Sequence, residues 1–368
     1  MSAEARSRMI PRRRTRRVLV GNVAIGGGAP VSVQSMTKTH TEDVDATLAQ
    51  IRELAEIGCE IIRCAVPHRK AVAALRRIVA DSPLPVVADI HFDHHLALGA
   101  IEAGAAGVRV NPGNMHDQKG LREVYRAAAQ AGVKVRIGVN SGSIRPRKGL
   151  EVDRQEGDED LVELMVSRTL DYCRAAEEEG LGSLVLSLKA SDVLTTIAAY
   201  RAAAERCDYP LHLGVTAAGP PEVGIVKSAV ALGILLAEGI GDTVRVSLTG
   251  PPHREVEVAW EILTALGLRE RRRPEIISCP TCGRCEFDLV GLVRQVAEAL
   301  RHAPPTLRVA VMGCVVNGPG EARDADIGVA GGKAFGYIFR RGELLRKVPA
   351  DRLGAELLAE IRKLGDTQ

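Results

Sequence analysis

The feature that most constrains this chain is an alternation repeated about eight times between Pro30 and Gly267: a short β-branched run, then an Ala- and Leu-rich segment at helical spacing. The strand-like runs are Val31–Met36, Glu60–Val66, Leu84–Ile90, Gly107–Val110, Val133–Val139, Ser183–Leu188, Leu211–Val215 and Thr243–Leu248. Segments such as Ala46–Ile57, Ala71–Val79, Leu121–Ala131 and Leu161–Glu178 carry apolar residues at helical spacing between them. Eight β/α units are the number that closes a parallel barrel. An open doubly wound sheet would place a Gly-rich dinucleotide loop after its first strand, and none is present. The predicted fold class is therefore α/β, a (β/α)8 TIM-like barrel over residues 30–268.

Residues 1–29 read as a basic N-terminal tail, with Arg12-Arg13-Arg14-Thr15-Arg16-Arg17 solvated and no apolar stretch of a signal peptide. A charged hinge at Arg269–Pro274 opens a second, small α+β domain over residues 269–368. Its predicted strands are Glu275–Ser278, Leu307–Val311, Asp326–Val329 and Ala334–Phe339, with helices at Phe287–Ala299 and Asp351–Leu364.

Composition excludes several classes. Hydrophobic residues make up 46% of the 368, enough for a sizeable core, while aromatics are only 3%. A nucleic-acid binder that stacks bases needs more aromatics, and a net charge of +3 is too mild for a polyanion partner. The most apolar helix pattern, Val223 to Gly239, is interrupted by Lys227 and Glu238 and too short to span a bilayer. The expectation is a cytoplasmic protein without membrane or nucleic-acid partners.

In a barrel, the loops after the strands form the active-site face. The predicted strand ends carry Arg63, then Asp89 and His91, then Arg109 with Asn111 and Asn114. Arg136 with Asn140 follows, then Lys189, then Arg245 with Ser247. Four arginines and a lysine face only two acidic groups near strand ends, Asp89 and Asp242. Such a ring suits a small polyanion, because guanidinium forks grip phosphate oxygens bidentately. The turns Asn111–Asn114 and Asn140–Ser143 add backbone N–H groups able to face an anion. Asp89 and His91 also fit a buried hydrogen-bonded pair, and structural salt bridges are the alternative for the arginines.

Half of the eight cysteines lie in the second domain: Cys279, Cys282 and Cys285 within Ser-Cys-Pro-Thr-Cys-Gly-Arg-Cys, and Cys314 within Met-Gly-Cys-Val-Val-Asn-Gly-Pro-Gly-Glu. A two-residue gap aims two thiolates at one metal and suits an iron–sulfur cluster or zinc. The turn Asn317-Gly318-Pro319-Gly320 brings Glu321 back toward a metal on Cys314. Cys59, Cys64, Cys173 and Cys207 sit in apolar or helical runs and read as small core residues.

Those two motifs resemble the bacterial 4-hydroxy-3-methylbut-2-enyl diphosphate synthases of the non-mevalonate isoprenoid pathway, and the resemblance extends from about Val31 to the C-terminal helix. It implies that the second domain binds a [4Fe-4S] cluster through Cys279, Cys282, Cys314 and Glu321. Cys285 has no counterpart in the family motif, and an all-cysteine site using it is the competing set. The resemblance also implies a cyclic diphosphate substrate held by Arg63, Arg109, Asn111, Arg136, Asn140, Lys189, Arg245 and Ser247, with Asp89, His91 and Glu321 in catalysis. It implies a homodimer with a shared active site and flavodoxin or ferredoxin as electron donor. The family's Thr-Glu-Ala-Gly is here Thr216-Ala217-Ala218-Gly219, which lacks the glutamate, with Glu222 nearby.

The expected activity is reductive ring opening and dehydroxylation of 2-C-methyl-D-erythritol 2,4-cyclodiphosphate to 4-hydroxy-3-methylbut-2-enyl diphosphate. The alternatives are an iron–sulfur reductase of the same architecture on another phosphorylated substrate, and a non-catalytic metal or redox-sensing module.

Overall fold

A computed structural model describes residues 11–115, 117–144, 158–301, 303–316 and 318–365. The chain divides into two units, one ending at Arg269 and the other beginning at Glu270.

The first unit begins with an antiparallel hairpin, β1 (Val18–Val20) and β2 (Val23–Ile25). Eight parallel strands follow: β3 (Ser32–Met36), β4 (Ile61–Ala65), β5 (Val86–Ile90), β6 (Gly107–Val110), β7 (Lys134–Asn140), β8 (Leu184–Lys189), β9 (His212–Leu213) and β10 (Thr243–Val244). Neighbours run in order from β3 to β8, while β10 pairs with both β3 and β9. A parallel bridge between Leu186 and Leu211 joins the remaining edges, so the sheet closes into the expected barrel. The helices between strands follow from local chemistry. In Val44–Glu56, Asp43 caps the first turn, and Leu48, Ile51 and Leu54 fall on one buried face. Gln118–Ala131 starts on the Asp117 side chain and stops at Gly132, whose φ of +67° is the left-handed ending that glycine adopts freely.

The hairpin covers the N-terminal end of the barrel. Val20 and Ile25 bury themselves against Ile61 and Val87, early residues of β4 and β5. Of the arginines before it, Arg14 and Arg17 are exposed as a solvated tail would be, but Arg12, Arg13 and Arg16 are held on the barrel. Arg12 donates to Gly241 O at 2.8 Å and to Asp242 Oδ1 at 3.0 Å. Arg13 N donates to Gly239 O at 2.9 Å, and Arg16 lies 4.2 Å over the Tyr209 ring while pairing with Asp208 at 2.7 Å. Carbonyls and carboxylates exposed between strands and helices at this end attract those guanidiniums, which sequence reading of an arginine run does not reveal.

The second unit is a five-stranded mixed sheet in the order β11 (Glu275–Ser278), β12 (Arg308–Met312), β13 (Ile327–Ala330), β14 (Phe335–Arg340) and β15 (Glu343–Pro349). The first three strands run parallel and the last two antiparallel. Val309 and Val311 face the helices Leu289–Ala299 and Leu353–Gly365, whereas Ala310 and Met312 face the opposite side. Strand β15 was not expected. It follows a two-residue turn in which Arg341 and Gly342 both hold positive φ, 50° and 81°. Its Glu-Leu-Leu-Arg-Lys-Val-Pro is mostly exposed, as a charged sheet edge ending in proline should be. Among the described residues, no helix is long and apolar enough to cross a membrane.

Candidate active site

The barrel's inward positions hold the polar ring. Asp89, on β5, is its anionic hub: Oδ1 stands 3.4 Å from Arg109 Nη1, and Oδ2 stands 3.7 Å from both Arg63 Nε and His91 Nε2. Parallel registry sets this up, because Asp89 lies directly across from Arg109 on β6, which in turn lies across from Arg136 on β7. Burial opposes ionisation of Asp89, but Arg63, the hydrogen bond with His91, Arg109 and Arg136 together hold its carboxyl well below the usual range.

Cation outweighs anion in this interior. Arg63, Arg109, Arg136 and Lys189 are all buried. Burial lowers Arg63 to about 10, with Asp89 opposing and Arg245 and Arg109 adding to the fall. Lys189 is pushed well below the ordinary lysine value by burial and then by Arg136, Arg63, Arg245 and Arg109. Arg136 is lowered by burial and by Arg63 and Arg109; it donates through Nη1 to Gln34 Oε1, while its Nε has no hydrogen-bond partner.

Three glycines make room for these side chains. A Cβ on Gly138 would lie 2.6 Å from Arg109 Nε, one on Gly214 would lie 2.6 Å from Lys189 Nζ, and one on Gly107 would lie 2.6 Å from Lys134 Cε. Each bare backbone faces a long cationic chain crossing the barrel, so small and large residues alternate around the interior.

The second carboxylate of the site is Glu255, not Asp242. Asp242 precedes β10 and belongs to the opposite end, where it accepts from Arg12, Thr15 and Leu211 N, and burial pushes its carboxyl up. Glu255, in the first turn of the helix Pro252–Ala265, is fully buried. It takes Lys38 Nζ at 2.9 Å, Arg245 Nη2 at 3.3 Å and Leu248 N at 3.0 Å. Its signal in the sequence is a glutamate on the face that also carries Val256, Ala259 and Leu263. Sequence reading also passed over Gln34, Lys134 and His212, all buried inward-facing barrel residues.

The remaining expected residues line the same end. Asn111 is buried and accepts from Gly113 N at 3.2 Å, and Asn140 ends β7 across from Lys189. Arg245 and Ser247 follow β10 and are half-buried. His91 is half-exposed, with Nε2 3.1 Å from Arg109 Nη1. Ala217 is exposed at a φ of +51°, and Glu222 is exposed in the first turn of the helix Pro221–Ala237.

In the second unit the cysteines gather at the C-terminal ends of β11 and β12. Gly313 N donates to Cys279 Sγ at 3.1 Å. A Cβ on Gly313 would come within 2.8 Å of Cys285 Sγ and 3.5 Å of Cys279 Sγ, so this glycine keeps the space before the sulfurs open. Cys285 N closes a turn onto Cys282 O at 2.9 Å, and the Cys285 thiol donates to Phe287 O at 3.3 Å. Arg284 is raised by its hydrogen bond with Cys314, then by Cys282 and Cys314 as charges. Glu321 is exposed at the end of the short helix Gly318–Glu321, while Asn317 lies outside the described residues. No three of these donors bring ligand atoms within 4.8 Å of one another. Thiolates with a nearby carboxylate are donors that suit zinc or an iron–sulfur cluster.

A closed parallel barrel with buried cations at its strand ends, followed by a cysteine-bearing mixed-sheet unit, defines a two-unit α/β-barrel protein. The GcpE TIM-barrel domain matches residues 15–260, and the GcpE protein C-terminal domain matches residues 275–363. The chain belongs to the GcpE family. It is 52% identical over 354 residues to a 4-hydroxy-3-methylbut-2-en-1-yl diphosphate synthase (flavodoxin) of Lawsonia intracellularis, covering 96% of this chain and 97% of that one. A protein of the same name from Geobacter sulfurreducens is 52% identical over 351 residues, covering 95% and 98%. Among solved structures, a dihydropteroate synthase in complex with pteroic acid from Coxiella burnetii superposes with a TM-score of 0.51 at 10% identity. It covers 68% of this chain and 97% of its own, and shows a shared barrel fold alone.

Proposed function

We propose that this chain is an oxidoreductase that converts 2-C-methyl-D-erythritol 2,4-cyclodiphosphate to 4-hydroxy-3-methylbut-2-enyl diphosphate, with flavodoxin as electron donor and ferredoxin as the alternative. The change adds two electrons and two protons, breaks the ring C–O bond and releases the hydroxyl oxygen as water. The observation that carries this reading is the excess of cation: among the described residues, buried Arg63, Arg109, Arg136 and Lys189 and half-buried Arg245 face the carboxylates of Asp89 and Glu255 alone. A diphosphate supplies the missing negative charge and accepts from guanidinium groups that have few partners.

The residues divide the work. Asp89 and Glu255 aim Arg63, Arg109 and Arg245, so little side-chain ordering is left to do when substrate enters. His91 Nε2 stands between Arg109 Nη1 at 3.1 Å and Asp89 Oδ2 at 3.7 Å, and the tautomer decides whether it accepts from the one or donates to the other. Its reach over the Asp89–Arg109 pair makes His91 the group to orient a substrate oxygen or hand it a proton. Cys279, Cys282, Cys314 and Glu321 would hold a [4Fe-4S] cluster, which supplies electrons and a Lewis-acidic iron when bound. Cys285 stays outside that set because its thiol already donates to Phe287 O. The working form is a homodimer whose active site both subunits share.

The test is anaerobic reconstitution with iron and sulfide, then assay on the cyclodiphosphate with reduced flavodoxin. Appearance of the linear diphosphate is expected. Cluster-loaded protein that leaves the cyclodiphosphate intact while reducing another phosphorylated compound would overturn the reading.

A further inference from the structure

We propose that Asp93, His94 and His95 form a binding site for a divalent transition-metal ion of the zinc type, separate from the cysteine set. The three residues follow β5 and open the helix His94–Glu102. One ligand atom from each lies within 4.8 Å of the others, and no other group of three such residues does so among those described. Asp93 Oδ1 stands 2.9 Å from His95 Nδ1 and also accepts His95 N at 2.9 Å. The His95 backbone thus holds the carboxylate beside the His95 imidazole.

Two further carboxylates, on the helix Gln118–Ala131 and at its cap, lie beside His94. His94 Nδ1 stands 3.5 Å from Asp117 Oδ2, and His94 Nε2 stands 3.9 Å from Glu123 Oε2. The His94 ring is lodged against Gly120, where a Cβ would come within 2.3 Å of Nδ1. It also lies over the His95 ring, with centroids 3.9 Å apart and planes tilted by 33°. Capping the helix requires Asp93 alone. It does not require two imidazoles side by side, nor a bare glycine that lets one of them enter between Asp117 and Glu123.

The donor types select the ion. Two imidazoles with carboxylates suit zinc, nickel or copper, whereas calcium and magnesium prefer oxygen alone. The positive end of the helix opposes a cation here. Asp93, Asp117 and Glu123 supply up to three negative charges against it. Asp93 N donates to His91 O at 2.8 Å, so a metal on Asp93 would also steady the backbone that carries His91.

The experiment is equilibrium dialysis of the cluster-loaded protein against zinc chloride under anaerobic conditions, with metal analysis. Wild type, His95→Gln and His94→Gln/His95→Gln are compared; the His95 side chain is 62% exposed, so the single variant folds normally. Zinc captured by cysteines is common to all three and cancels. Wild type should retain a further zinc that the double variant lacks, with at least about tenfold weaker binding in the single variant. Equal zinc content and affinity in all three would overturn the proposal.

Discussion

Gly138 presents bare backbone to the Arg109 guanidinium: a Cβ at 138 would lie 2.6 Å from Arg109 Nε. Gly138→Ala should therefore move a cation rather than break the barrel, because the obstructed atom is at the far end of a flexible side chain. Losing one charge-assisted contact costs on the order of 1.5–3 kcal/mol, roughly tenfold to over a hundredfold in affinity. Calorimetric titration with the cyclodiphosphate should show that loss with little change in Tm. Gly182→Ala, which meets nothing within 4 Å, is the control and should bind normally.

Removing a cation outright gives a parallel expectation. Arg136→Ala and Lys189→Ala should weaken substrate binding by a similar factor and leave the visible spectrum of the cluster unchanged. Unaltered binding in both would make them structural.

Iron and sulfide counts after reconstitution separate the ligand sets. Cys279→Ser, Cys282→Ser and Cys314→Ser should each lose the cluster, and Cys285→Ser should keep it. A Cys285→Ser variant without iron, beside a Glu321→Ala variant with normal spectrum and activity, would reverse the assignment.

Ala217 already holds a φ of +51° with a Cβ in place, so a longer side chain adds no backbone penalty there. Ala217→Glu should raise kcat, by up to the roughly 10²–10⁴-fold of general acid–base help, with KM nearly unchanged. A flat kcat in that variant, together with an inactive Glu222→Gln, would show that the acid has moved to Glu222.

Lys134 is buried at the start of β7, and burial first, then Arg136, lowers its pKa well below the ordinary lysine value. The unfolded chain therefore binds more protons at neutral pH, and this group makes stability rise as pH climbs toward the normal lysine range. Lys134→Met should remove that slope and raise Tm at pH 7, by roughly 2–4 °C for each kcal/mol recovered. Thermal melts across pH 7 to 10 check both effects; a lower Tm with an unchanged slope would show Lys134 to be stabilising.

The barrel was legible because eight β-branched runs, each followed by helical spacing, leave few alternatives. Arg63, Asp89, Arg109, Arg136 and Lys189 were legible for the same reason, since position on a strand fixes which way a side chain points. Glu255 was not, because it reaches the site from a helix whose apolar face hides it among Val256 and Ala259. Asp242 misled because nearness to a strand does not say which end. Strand β15 escaped notice because its pairing comes from a backbone turn at Arg341-Gly342 that carries a weaker sequence signature than Asn-Gly.

The hairpin packed on Ile61 and Val87 gives the first barrel unit a floor of its own. The two ends of the strands therefore do different work: the floor is apolar and shared between hairpin and strands, while the buried arginines and Lys189 sit where the strands run out. A substitution at Val20 or Ile25 should register in thermal stability, and one at Arg109 in ligand binding.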